Sequence, residues 1–215
     1  MFHPEMKAGR KKKWIIVLTL VVLITGVGWW HIVMNPRFHP VIDQQIYRSA
    51  QLDVPELERF THTYGIHTIL SLLGPEKGDR WYENEHTFAQ QHQIRMLNIG
   101  FASHELPLKS HLNHLIDALV SEPKPLLLHC HRGSDRSGMA SAIALILFQD
   151  DSLKTVERQF SWRYGVVPFT HSIGVQFFDL YEQWLKSTGQ SHSRENFLNW
   201  ARNDYVDPNG NIDPD

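Results

Sequence analysis

The sequence predicts an α/β domain built on a central, mostly parallel sheet flanked by helices, preceded by one N-terminal transmembrane helix. Three observations predict it. Short apolar runs of strand length alternate with stretches of helical spacing, the pattern of a parallel sheet covered on both faces. From residue 152 onward the pattern is helical throughout. Ahead of this alternation stands an unbroken apolar run, Trp14–Met34, of the length a helix needs to cross a bilayer core.

The elements follow in order. Residues 1–13 carry Lys7, Arg10, Lys11, Lys12 and Lys13 against the single acid Glu5. The run at 14–34 follows, with Trp14 at one end and Trp29 and Trp30 at the other, where aromatic belts form. Its only ionisable residue is His31, and WWHIVMNP is a poor cleavage site, so an uncleaved anchor is expected over a signal peptide. The basic residues before the span place the N-terminus in the cytoplasm and the remainder outside the inner leaflet, the periplasm of a Gram-negative cell. Residues 35–43 are a linker.

Ile46–Ala50 is a short strand. Asp53 caps a helix over Val54–Tyr64, with Pro55 in its first turn and Gly65 as its stop. Ile66–Leu73 is a strand ended by Gly74-Pro75. Arg80–His92 is a helix, Ile94–Ile99 a strand, Gly100–Pro107 a loop, and Leu108–Val120 a helix with Leu112, Leu115, Ile116 and Leu119 on one side. Pro125–His129 is a buried-type strand, Gly133–Gly138 a turn and Met139–Phe148 an apolar helix. Ser152–Tyr164, His171–Ser187 and Ser193–Ala201 are further helices. The globular domain is 44–203, and 204–215 is a flexible acidic tail.

A formal charge of -2 argues against a dedicated nucleic-acid binder. With one cysteine, Cys130, no intramolecular disulfide can form, so the core alone must hold the fold. Fourteen histidines invite a metal reading, but no Cys-x2-Cys or His-Glu-x2-His spacing exists. The side chains of His129, Cys130 and His131 diverge, and His111 with His114 lacks a third ligand, so no metal or other cofactor is expected.

The chemistry concentrates in Leu128-His129-Cys130-His131-Arg132-Gly133-Ser134-Asp135-Arg136-Ser137-Gly138. This segment joins an apolar strand to an apolar helix. A helix N-terminus offers unsatisfied N–H groups and a favourable dipole to an anion. Gly133 and Gly138 let the loop curl around it. The same N–H groups and Arg136 should stabilise a thiolate at Cys130. The Arg136 fork can grip two oxygens of one phosphate, and Ser137 can hydrogen-bond the sulfur.

Cys130-x5-Arg136-Ser137-Gly138, preceded by His129, resembles the phosphate-binding loop of protein tyrosine and dual-specificity phosphatases. Tyr47-Arg48-Ser49-Ala50-Gln51 is similar to the YRSAQ stretch of many compact bacterial, fungal and plant members. The likeness covers residues 44–203. With the cysteine fixed, Gly133, Arg136, Ser137 and Gly138 coincide by chance less than about once in ten thousand. The rhodanese loop is typically shorter and ends differently. The resemblance implies the cysteine-phosphatase fold, attack by Cys130 on phosphorus, a phosphocysteine intermediate, and stabilisation of the oxygens by Arg136 and the loop from His131 to Arg136, Ser134 included. It makes His129 the residue that orders the loop and Arg48 a brace behind it.

The family's general acid is an Asp on an earlier loop, and Gly100–Pro107 contains none. Relatives with a Cys-x4-Asp-Arg loop put Asp135 first as the acid, with Glu105 and then His104 as alternatives. Asp135 also reads as an ion partner of Arg48, Arg132 or Arg136, and Glu105 as a solvated loop charge. His131 and Arg132 make the mouth basic or simply face solvent. The expected activity is a tyrosine or dual-specificity protein phosphatase. The alternatives are a membrane-lipid phosphatase acting on phosphoinositide-like, phospholipid or lipid-A phosphates, and a phosphate-binding module with weak catalysis.

Overall fold

The protein, seen in a computed structural model, is described over residues 5–33, 37–102, 104–166 and 172–207. It divides into two units, Met1–Asn35 and Pro36–Asp215. The first is a helix, α1, over Glu5–Val33. Its side chains are described over 12–28, and the large apolar ones from Trp14 to Val27 are exposed. Among the described residues no helix is long and apolar enough to cross a membrane.

The second unit holds a five-stranded sheet in the order β1-β2-β5-β3-β4. The strands are β1 His39–Ile42, β2 Ile46–Ser49, β3 Thr68–Ser71, β4 Arg95–Asn98 and β5 Leu126–His129. All neighbours are parallel except β1, which pairs antiparallel with β2. The residues expected to be a linker thus contain a strand. Pro40 hid it from the sequence pattern, because proline is tolerated only at edges and bulges, and β1 is an edge strand with a register shift between Pro40 and Ile42.

Alternation along the strands builds two cores. Ile46, Leu70, Leu126 and Leu128 face one core, while Tyr47, Ile69 and Leu127 face the other. The second core is closed by α2 (Val54–Tyr64) and α3 (Arg80–Gln91), which contribute Leu57, Phe60, Phe88 and Ala89. α2 begins with a full capping box, Asp53 accepting from the Glu56 N–H while Glu56 reaches back to the Asp53 N–H. The first core is closed by α4 (Lys109–Ser121) and α5 (Asp135–Gln149). α7 (Ile173–Thr188) and α8 (Arg194–Asn199) complete it with Phe177, Phe178, Tyr181 and Phe197. α5 is buried from Ser137 to Leu147, which explains its lack of a polar side.

Three expectations are corrected. The helix begins at Asp135, so the turn predicted to run to Gly138 ends sooner; the loop's own curl is completed by Gly133 at φ +65°. The single helix expected over Ser152–Tyr164 breaks into α6 (Leu153–Val156) and two 3-10 turns, Glu157–Phe160 and Trp162–Tyr164, the latter closed by Gly165 at φ +75°. The tail is not loose at its start. A π-helical turn over Trp200–Asp204 delivers Tyr205, 1% exposed, whose hydroxyl donates to the Pro107 carbonyl at 2.7 Å. Residues 208–215 of the expected tail lie outside the described residues.

Candidate active site

The loop after β5 returns to α5 within a few residues, and β2 determines how. Gly133 packs against the end of β2 so closely that a Cβ there would lie 2.4 Å from the Ala50 nitrogen. Its left-handed φ of +65° also disfavours any residue with a Cβ. Four members of Tyr47–Gln51 then have tasks. Tyr47 fills the second core. Arg48, fully buried, donates from Nη2 to the Gly133 and Ser134 carbonyls, both at 2.9 Å. Its Nη1 donates to Oε1 and the carbonyl of Gln159 at 2.8 and 3.2 Å, and its guanidinium lies 4.1 Å from the Tyr164 ring centroid. The Ser49 carbonyl accepts from the Ser137 hydroxyl at 3.4 Å. Gln51 donates its N–H to the His131 carbonyl and contacts the His131 ring at 3.0 Å.

Cys130 is 2% exposed and lines a cavity of ≈ 810 Å³. His131, Arg132, Ser134, Asp135 and Arg136 line it too, together with Gln51, Trp81, Glu76 and His104. Burial alone would push the Cys130 thiol up. The Ser137 hydroxyl, the Arg136 charge and the N–H groups of Ser137 and Gly133 outweigh it, and the thiol sits below its ordinary value. Arg136 is aimed by the loop after β4: its Nη1 donates to the Phe101 carbonyl at 2.9 Å. Thiolate, clamp and convergent N–H groups are the set needed to hold a tetrahedral dianion and attack it.

The structure separates the acid candidates. The Asp135 carboxylate lines the cavity but accepts from the Ser172 hydroxyl at 2.5 Å and from the N–H groups of Ile173 and Gly174 at 3.0 and 3.1 Å. It thus fastens the start of α7 to the loop. Glu105 is exposed and is not among the cavity's lining residues, whereas His104 is. Glu76, which sequence reasoning passed over, lines the cavity from the turn after β3. Its signal was an acid directly after the breaker pair Gly74-Pro75 at a strand's C-terminal end, where parallel sheets bind ligands. Also missed was Glu85, 3% exposed on α3, whose Oε1 lies 2.9 Å from Nε2 of His129. No cluster able to hold a metal ion occurs among the described residues.

Residues 37–154 match the model of the tyrosine phosphatase family. No curated protein matches the chain. Among solved structures, the core catalytic domain of the PP-IP phosphatase SIW14 from S. cerevisiae is similar at 22% identity and TM-score 0.56, covering 71% of this chain and 93% of that one. P. aeruginosa TpbA in complex with pTyr is similar at 15% identity and TM-score 0.51, covering 65% and 82%. PTPMT1 in complex with PI(5)P is similar at 13% identity and TM-score 0.54, covering 71% and 98%. These likenesses establish a shared fold. The family match spans more than half of the 215 residues and contains the whole Cys130–Arg136 loop, so the chain belongs to the tyrosine phosphatase family and is a cysteine-dependent phosphatase.

Proposed function

We propose that the chain hydrolyses phosphate monoesters of the dual-specificity type, with phosphotyrosine on protein as its first substrate class. One observation carries the reading: a buried, thiolate-stabilised Cys130 in a cavity that also receives Arg136. The thiolate attacks phosphorus and the bond to the leaving oxygen breaks. Arg136 and the loop N–H groups neutralise the equatorial oxygens. Water then attacks the phosphocysteine, and the Ser137 hydroxyl supports the departing sulfur.

The leaving oxygen needs a proton. The two Asp135 carboxylate oxygens are already taken up by three donors at the start of α7, a structural clasp that argues against Asp135 as the acid. His104 and Glu76, both on the cavity wall, take precedence. His104→Asn or Glu76→Gln is expected to lower kcat about 10² to 10⁴-fold for a poor leaving group and far less for p-nitrophenol. Equal losses for both leaving groups in each variant would return the role to Asp135.

We also propose that α1 anchors the chain in a membrane, with the catalytic unit on the extracytoplasmic or periplasmic side. The apolar sequence Trp14–Met34 and the basic residues before it support this. The hydroxyls of Thr19 and Thr25 donate back to the carbonyls of Ile15 and Val21 at 2.9 and 2.8 Å, which is compatible with such a helix. Within lipid, polar groups must be satisfied internally in this way.

A second reading, hydrolysis of lipid headgroup phosphates, is favoured by the exposed His131 and Arg132 at the cavity. The deciding experiment is phosphate release by the full chain in lipid bilayers, offered a phosphotyrosine peptide and phosphorylated lipids side by side. Faster turnover of the peptide supports the first reading. Turnover of the lipids alone replaces it with the second. Recovery of the chain in the soluble fraction after expression would remove the anchor.

A further inference from the structure

Glu85 is out of place by pattern. It shares the buried side of α3 with Tyr82, Phe88 and Ala89, where an apolar residue is expected. A carboxylate buried without a compensating partner is strongly unfavourable. Local violations of this kind concentrate at functional sites. The compensation here is His129, the last residue of β5 and the one directly before Cys130. Both partners are sealed from solvent, His129 at 1% and Glu85 at 3% exposure.

The surroundings of His129 define what the pair can do. The strands on either side place Ser49 and Ser71 at its register, neither of which titrates. The charged groups that act on it are Glu85 from α3, Cys130 from the loop and Arg136 from α5. Two of these three favour a proton on the ring.

We infer that Glu85 is a positioning residue for the nucleophile: it orients His129 and holds it as imidazolium, so that a fixed positive charge stands behind Cys130. The inference rests on Cys130 being the nucleophile. In support, burial by itself would discharge His129, yet the Glu85 carboxylate 2.9 Å away and the Cys130 thiolate leave the ring more basic than free histidine. The charge pattern then alternates along the site: carboxylate, imidazolium, thiolate, guanidinium. Glu85 never reaches substrate and acts only through His129.

Cys130 is the only cysteine in the chain, so its thiolate can be titrated without ambiguity. The test is the rate of iodoacetamide alkylation of the full chain against pH, in wild type and in Glu85→Gln, with kcat/KM profiles alongside. Glu85→Gln keeps the shape and removes the charge. The titration midpoint is expected to rise by about one unit, equivalent to about tenfold less thiolate below it. kcat/KM should fall in parallel at low pH and recover at high pH. A folded Glu85→Gln whose alkylation and activity profiles superimpose on wild type, with only a lower Tm, would overturn the inference and leave a structural pair. Should Glu85→Gln not fold, Glu85→Asp keeps the charge at a longer reach, and a smaller shift in the same direction is expected; no shift would overturn the inference. A wild-type thiol that titrates normally while releasing no phosphate from any ester would instead count against the phosphatase reading.

Discussion

Cys130→Ser is expected to abolish phosphate release while phosphate analogues still bind. The substitution exchanges a thiol that the loop holds below its ordinary value for an alcohol that stays protonated at any working pH. Serine is close in size, so a site 2% exposed keeps its packing. Arg136, still held by the Phe101 carbonyl, and the loop N–H groups remain available to an anion. Removal of a nucleophile with the binding groups intact leaves a loss on the order of 10⁴-fold or more in kcat. The check is steady-state turnover beside calorimetric binding of vanadate. Residual turnover above about one part in a hundred would mean that Cys130 is not the attacking group. In the wild type the low-pH limb of kcat/KM should follow the thiolate. Activity therefore rises as pH climbs through the Cys130 midpoint, which lies below the usual 9.0 because Ser137, Arg136 and the loop amides outweigh the opposing effect of burial.

The second large effect is expected from Arg48→Ala, and it falls on stability and activity together. Arg48 has no exposed surface, and its guanidinium joins three parts of the chain: β2, the phosphate loop and the segment from Gln159 to Tyr164. Burial lowers its pKa to about 10, which leaves it charged at neutral pH. Truncation strips the carbonyls of Gly133, Ser134 and Gln159 of a donor in the interior. Each such orphan costs about 1 to 3 kcal/mol when water cannot replace the donor. A total near 3 to 5 kcal/mol is expected, the scale of breaking a buried charged network. The loop, freed from its brace, should lose about a hundredfold or more in kcat/KM, as small displacements of catalytic groups do. Arg48→Lys should recover only part, since an ammonium cannot fork between two carbonyls on one side and Gln159 on the other. Denaturant unfolding gives the first quantity and steady-state kinetics the second. A stability change under about 1 kcal/mol would show that water or a neighbour replaces the guanidinium.

His129 adds a pH dependence to stability. Its folded pKa lies above the ordinary 6.5, despite burial, because of Glu85 and Cys130. The contribution is therefore fully present below pH 6.5 and is lost as pH rises through the folded value.

What the sequence determined by itself was local chemistry. The capping box at Asp53, the stop at Gly65, the apolar strands and the Cys130-x5-Arg136 loop are written in residues that are neighbours along the chain, and they act through sterics and hydrogen bonds a few residues long. The family resemblance rested on the same local spacing, and so Cys130 and Arg136 were legible before any fold was known. The tertiary structure decided the rest. β1 is a strand only because β2 lies beside it, and Tyr205 is buried because Phe177 and Trp200 pack on its ring and the Pro107 carbonyl accepts from its hydroxyl. Asp135 read as a general acid or as a partner of a nearby arginine, and only the packing of α7 shows Ser172, Ile173 and Gly174 on its carboxylate. Glu85 drew no reading from the sequence, and its partner exists only because β5 places His129 opposite it. Each of these depends on a partner tens of residues away. Such pairs are made by packing the sheet and helices together, and no periodicity or short motif along the chain encodes them.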